Sequence, residues 1–207
     1  GQVPRALIGT DAFQEVDIYG ITVPITKHNF LVRSAQELLE VVPEAFRIAM
    51  SGRPGPVLID VPKDVQNQLV TVAEFPAPAV ADPAPQLDLE AVELAAKMIN
   101  EAEQPVLYLG GGVVASGAAP LAVQLAEQAG LPTTMTLMAL GAMPMDHPLS
   151  IGMLGMHGAR YTNFVLEEAD VLVCVGARFD DRAIGRAAQF CPNARIVHID
   201  IDRSELH

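Results

Sequence analysis

Apolar residues recur at helical spacing through "SAQELLEVVPEAFRIAM", residues 34–50, and predict an amphipathic helix with Ser34 as N-cap and Glu37 three residues on. Pro43 lies inside that window and is expected to break or kink the helix. The apolar run Val57–Val61, bounded by proline on both sides, reads as a strand. Residues 75–86, "FPAPAVADPAPQ", carry Pro76, Pro78, Pro83 and Pro85 and predict an extended linker over 76–86. After it the pattern alternates regularly. A helix over 89–100 capped by Asp88 leads to a strand in "PVLYLG", a helix through "APLAVQLAEQAG" and a strand near "PTTMTL". A helix through "NFVLEEA" then precedes strands in "DVLVCVGAR" and "RIVHIDID". Continuously apolar strands joined by amphipathic helices predict a parallel sheet covered on both faces. The expected fold class is therefore α/β: a parallel-sheet, Rossmann-like central domain over 87–207, preceded over 1–75 by part of a second α/β domain.

Composition narrows the function. Half of the 207 residues are hydrophobic, enough for a sizeable core. Thirteen Lys and Arg against 25 Asp and Glu give a formal charge of −12, which would repel a phosphate backbone, so no nucleic-acid partner is expected. Apolar runs such as Val171–Val175 fall far short of the roughly 20 residues a membrane span needs, so no membrane partner is expected either. Cys174 and Cys191 lack a Cys-x-x-Cys spacing or a nearby His pair and read as buried thiols in a reducing compartment. The chain opens on Gly1 without a basic start or an apolar leader and reads as a piece of a longer protein.

In parallel sheets of this kind, ligands bind outside the carboxyl ends of the strands. Four segments fall there: "GGG" at Gly110–Gly112, "MLGMHG" at 153–158, "GARFDDR" at Gly176–Arg182 and "HIDID" at His198–Asp202. Each has a plainer reading. A triple glycine can be only a turn, and Asp180, Asp181 and Arg182 can be a surface ion pair. Met135, Met138, Met153 and Met156 can be core filler, and His157 has no second His or Cys at metal spacing, so no metal site is expected. Four such segments at one sheet edge nevertheless point to a nucleotide-type ligand. "GGGVVASG" departs from G-x-G-x-x-G, which disfavours a plain NAD dehydrogenase.

The strings "GQVPRALIGTDAFQE", "PITKHNF", "SGRPGPVLIDVPKDVQ", "LPTTMTLMALG", "MLGMHG", "GARFDDR" and "HIDID" together resemble the catalytic large subunits of the acetohydroxyacid (acetolactate) synthase family, thiamine-diphosphate enzymes that also carry FAD. The resemblance implies that residues 1–75 are the end of the pyrimidine-binding domain and 87–207 most of the FAD-binding central domain. It implies FAD contacts from Arg53, Gly110, Gly111, Gly112, Thr136, Leu137, Met138, Leu154, Gly155, Met156, His157, Gly176, Ala177, Arg178, Asp180, Arg182, Asp200, Ile201 and Asp202. At the substrate end it implies Phe13 and Gln14 at the active centre and Lys27 and Lys63 along the approach. Arg182 would anchor the carboxylate of the second ketoacid, its planar fork suiting bidentate binding. Pro4 and the Asp181–Arg182 pair would line the inhibitor-binding channel, in a corner where the residue after Arg5 is Ala6. The implied reaction is decarboxylation of pyruvate and carboligation to a second 2-ketoacid, pyruvate or 2-ketobutyrate, in branched-chain amino acid biosynthesis.

The same resemblance implies a cytoplasmic homodimer when intact, with a regulatory small subunit as a candidate partner. The activating Glu and the Gly-Asp-Gly magnesium motif of the family would lie outside residues 1–207, so this chain alone is expected to lack synthase activity. A related thiamine enzyme (glyoxylate carboligase or pyruvate oxidase) and a non-catalytic nucleotide-binding domain stay open as alternatives.

Overall fold

A computed structural model describes residues 2–206 and divides the chain into two compact units, Gly1–Pro85 and Gln86–His207. The first unit contains α1 (Ile18–Thr22), β1 (His28–Leu31), α2 (Leu38–Met50), β2 (Val57–Asp60) and α3 (Lys63–Gln66). Strands β1 and β2 pair in parallel, His28 opposite Val57 through Leu31 opposite Asp60. Their small core is Val32, Val41 and Val65, with Phe30, Leu38, Ile59 and Val61 packed against it.

The helix predicted from Ser34 starts later. Its N-cap is Glu37. Ser34 Oγ accepts the Glu37 N–H at 3.2 Å while the Glu37 carboxylate accepts the Arg33 N–H at 2.6 Å. Half of a capping box is thus made ahead of the helix proper, the Glu37 carboxylate taking the Arg33 N–H in place of that of Ser34. Helix α2 also continues through Pro43 and does not break there. A proline there leaves the Leu39 carbonyl without its helical donor, a cost offset by burying Val41 and Ala45 on the same helix. Strand β1 escaped the pattern reading because four residues with polar His28 and Asn29 carry too little periodicity. The proline-rich stretch is moored at Asp82, whose N–H donates to Ser51 Oγ at 2.8 Å and whose carboxylate pairs with Arg47 at 2.6 Å.

The second unit contains α4 (Leu89–Glu101), β3 (Pro105–Leu109), α5 (Gly111–Ala115), α6 (Ala119–Ala129), β4 (Thr133–Met135), β5 (Ser150–Met153), α7 (Arg160–Glu168), β6 (Val171–Val175), α8 (Asp181–Ile184) and β7 (Arg195–Ile199). The helix termini follow local chemistry. Asp88 caps α4 by accepting the Ala91 N–H, and Gly130, at φ 64°, closes α6 in the left-handed conformation. The five strands form one parallel sheet in the order β5-β4-β3-β6-β7. Alternate residues of the central strands feed two cores. Leu107, Leu109, Val171 and Val173 face one side, Val106, Tyr108, Leu172 and Cys174 the other, as a period of two requires. Both cysteines are free and buried. Among the described residues no helix is long and apolar enough to cross a membrane.

Candidate functional site

The chain winds from β3 outward through β4 to β5, then returns to the far side of β3 to lay down β6 and β7. The order reverses between β3 and β6, and a parallel sheet opens a crevice at the carboxyl ends of two such strands. Two glycine turns meet there. Gly110 N–H donates to Val175 O and Gly112 N–H to Gly176 O, both at 2.9 Å. A Cβ on Gly110 would lie 2.1 Å from Gly176 O, and one on Gly112 2.8 Å from the Gly176 Cα. The triple glycine is therefore more than the turn its plainer reading allows, because two of its members admit the backbone of the opposite loop and open α5. Gly111 instead faces the Met138 side chain.

The turn after β6 is anchored from behind. Tyr108 Oη donates to Arg178 O at 3.2 Å, His198 Nε2 lies 2.9 Å from Ala177 O, and Cys174 Sγ donates to the same carbonyl at 3.4 Å. Phe179 packs edge-on against Tyr108, Phe190 and His198. Burial raises the Tyr108 phenol and pushes the Cys174 thiol up to about 12, so both stay protonated as donors at neutral pH. Sequence reasoning missed Tyr108. Its polar tip on a buried strand, which needs a partner, was the available signal. Asp180 caps α8 through the Arg182 and Ala183 N–H groups, whereas Arg182 itself is exposed, 3.9 Å from Asp181 and 3.5 Å from Met156 Sδ.

Five segments converge on this edge, one after each strand. Gly110–Gly112 follow β3, Thr136–Met138 follow β4, Leu154–His157 follow β5, Gly176–Arg182 follow β6 and Asp200–Asp202 follow β7. The methionines divide: Met135 is core, but Met138 is 74% and Met156 64% exposed, and Leu137 stands out beside Met138. Ile201 is half exposed, and His157 is exposed. Leu154 and Ala177 are buried, so they can offer a ligand only their backbone. Asp200 Oδ1 accepts the Asp202 N–H and Asp202 Oδ1 the Ser204 N–H, which orders the last turn. Between β6 and β7 a cavity of about 430 Å³ is lined by Arg178, Phe179, Asp180, Ile196, His198 and Glu205. Thr136 Oγ1 is buried without a hydrogen-bond partner at the same edge. No group of three His, Cys, Asp or Glu able to hold a metal occurs among the described residues.

In the first unit the candidate residues separate. Pro4 and Lys63 lie together after β2: Lys63 N–H donates to Gln2 O, and Arg5 pairs with Asp64 at 2.7 Å. Lys27 lies at the opposite end of β1 and β2, where its ammonium donates to Ile48 O and Ser51 O at the end of α2. That cation caps the helix carbonyls. Arg53 shares this end, in the loop between α2 and β2. Phe13 is 89% exposed and Gln14 has φ 63°, on a loop closed by Glu15, whose carboxylate accepts the Gly9 and Ala12 N–H groups. The Gly9 bond, first among these, holds the Glu15 pKa down.

Comparison with known proteins places this architecture. Residues 92–207 match the family "Thiamine pyrophosphate enzyme, central domain". The whole chain aligns with the acetolactate synthase isozyme 1 large subunit of Escherichia coli K12 at 63% identity, covering 36% of that protein. It aligns with the probable acetolactate synthase large subunit of Methanocaldococcus jannaschii at 47% and with the chloroplastic acetolactate synthase 2 of Zea mays at 48%, covering 36% and 33% of them. The chain thus spans about a third of the length of the curated relatives it matches.

Proposed function

The chain belongs to the thiamine pyrophosphate enzymes, carrying their central domain, and from that premise we propose that it is a segment of an acetolactate synthase large subunit. The reaction is decarboxylation of pyruvate followed by carboligation to a second 2-ketoacid, pyruvate or 2-ketobutyrate. Thiamine diphosphate with Mg²⁺ supplies the electron sink for it. The protein works as a cytoplasmic homodimer with a regulatory small subunit as partner. The central domain holds FAD at the carboxyl edge of its sheet. The convergence of five strand-end segments on that single edge carries this reading.

The residues present fit such a cofactor in four respects. At the switch point Gly110, Gly112 and Gly176 leave no room for a Cβ, so two turns meet backbone to backbone at the start of α5, the helix end a diphosphate would approach. Thr136 Oγ1 is a buried polar atom still lacking a partner, one that a cofactor polar group can supply after a small side-chain rotation. Leu137, Met138 and Met156 present exposed apolar surface to a flat ring system. Arg178, at the mouth of the cavity between β6 and β7, supplies positive charge, and Asp200 and Asp202 supply acceptors for ribose hydroxyls. Arg182, exposed and only loosely paired, is placed to bind the second ketoacid carboxylate. Within the first unit, Phe13, Gln14 and Lys63 are assigned to the substrate end and Arg53 to the cofactor, while Lys27 acts through the loop it caps.

Titration of FAD against the purified chain, followed by flavin fluorescence, tests the cofactor assignment. Saturable quenching weakened at least tenfold by Arg178→Ala is expected; quenching indifferent to that substitution would remove Arg178 from the site. Acetolactate formation from pyruvate by the full-length protein tests the reaction. Pyruvate consumption that requires an electron acceptor would refute it.

A further inference from the structure

Asn163, on the first turns of α7, is outside every residue set considered above, yet its side chain meets both ends of one peptide. Its Oδ1 accepts the Gly155 N–H at 2.9 Å and its Nδ2 donates to the Gly155 O at 3.1 Å. An asparagine amide that pairs with one residue's N–H and C=O replaces a neighbouring strand.

Gly155 is held from the other side as well. It has φ 81°, and a Cβ there would lie 2.4 Å from Arg182 O and 2.9 Å from Ala183. The next amide, Met156 N–H, donates to Arg182 O at 3.0 Å. Around the pair the loop closes on itself: Gly158 N–H donates to Gly155 O and Ala159 N–H to Met153 O. Thr162, adjacent to Asn163, donates to Ile151 O on the strand before the loop. Within "MLGMHG", Met156 and His157 are exposed, Leu154 is buried, and Met153, Gly155 and Gly158 are half-buried.

We propose that Asn163 is a positioning residue: its two bonds clamp Gly155 against the start of α8 and so fix Met156 at the edge where the flavin ring lies. The flavin part rests on the cofactor reading given above; the clamp itself does not. Without the clamp, the Gly155 N–H has no partner, its carbonyl keeps only the Gly158 N–H, and the left-handed turn loses its outer support. Met156, with Arg182 Nη1 at 3.5 Å from its sulfur, then loses its fixed place relative to α8.

The test uses the full-length protein and two variants, Asn163→Ala, which removes both bonds, and Asn163→Asp, which keeps the volume and the acceptor but not the donor. Glu167→Gln, exposed on the same helix, is the control. Hydrogen exchange of the segment 153–160 is measured without FAD, then FAD affinity and the visible absorption of the bound flavin. Loss of one hydrogen bond to an ordered loop corresponds to a change of about tenfold. We expect exchange at Gly155 and Met156 to rise by about that factor in Asn163→Ala and also in Asn163→Asp, whose second carboxylate oxygen faces and repels Gly155 O, FAD affinity to fall by about tenfold, and the flavin absorption band to shift, with the control unchanged on all three. If Asn163→Ala does not fold, Asn163→Asp decides. Unchanged exchange at Gly155 and Met156 in a folded variant overturns the clamp. Faster exchange with unchanged affinity and absorption overturns the positioning role. Should the parent protein bind no FAD at all, the cofactor reading fails, and the exchange data alone still decide the clamp.

Discussion

At the scale of single residues, the site is built by glycines with different reasons to be glycine. Gly110 and Gly112 touch the opposite loop backbone, whereas Gly117 has open space around its absent Cβ and is glycine only for its φ of 71°. Substitution by alanine therefore separates the two costs. We expect Gly110→Ala to destabilise the second unit by about 3 kcal/mol, because backbone must move to relieve an overlap. Gly117→Ala should cost about 1 kcal/mol, the penalty of a left-handed alanine alone. Denaturant melts of both variants, with FAD titrations alongside, would show whether flavin quenching responds only to the first. The string "GGG" marked the position in the sequence. Its partner Gly176, 66 residues away, did not announce itself as such, since a contact across a sheet leaves no local spacing.

At the scale of elements, α2 and the proline-rich stretch behave as one piece. Arg47 bonds Glu44 on its own helix and Asp82 beyond β2, and Ser51 accepts the Asp82 N–H. These ion pairs are exposed and add little to global stability, but they fix where the stretch lies. Arg47→Met should leave the melting temperature nearly unchanged and raise the rate of proteolysis between residues 75 and 85 several-fold. Peptide mapping of a limited digest reads this directly. Pro43 is the opposite case. An alanine there restores the donor for Leu39 O, and we expect Pro43→Ala to stabilise α2 by about 1–3 kcal/mol in urea unfolding. The composition of 76–86 reads as an extended linker, and the stretch carries no helix or strand. Its attachment through Asp82 depends on an arginine 35 residues earlier, and no pattern within the stretch records it.

At the scale of the whole molecule, protonated buried groups set the alkaline limit. Cys174 and Cys191 are pushed up to about 12 by burial, and Tyr108 is raised for the same reason. In the unfolded chain a thiol ionises near 9, so there the unfolded state loses its protons first and is favoured as pH rises. The stability these groups provide is complete below about pH 9 and is lost as pH rises from about 9 toward about 12. Unfolding free energies across that window should fall steeply, and the fall should lessen in a Cys174→Ala, Cys191→Ala double variant. Thiol reagents should react with either cysteine only after unfolding.

Hydrophobic period and strand composition by themselves determined the α/β class, the parallel character of the sheet and the helices α4, α6 and α7, though not the short α5 and α8. They also marked the glycine, acidic and methionine segments as chemistry at strand ends. Only the tertiary structure decided that β4 and the short β5 join the same edge, that Tyr108, His198 and Cys174 tie down one turn, and that Asn163 clamps Gly155. It also put Lys27 and Lys63 at opposite ends of one sheet. Strand order and side-chain pairing are fixed by contacts between residues far apart in sequence, and their geometry exists only once the sheet has formed.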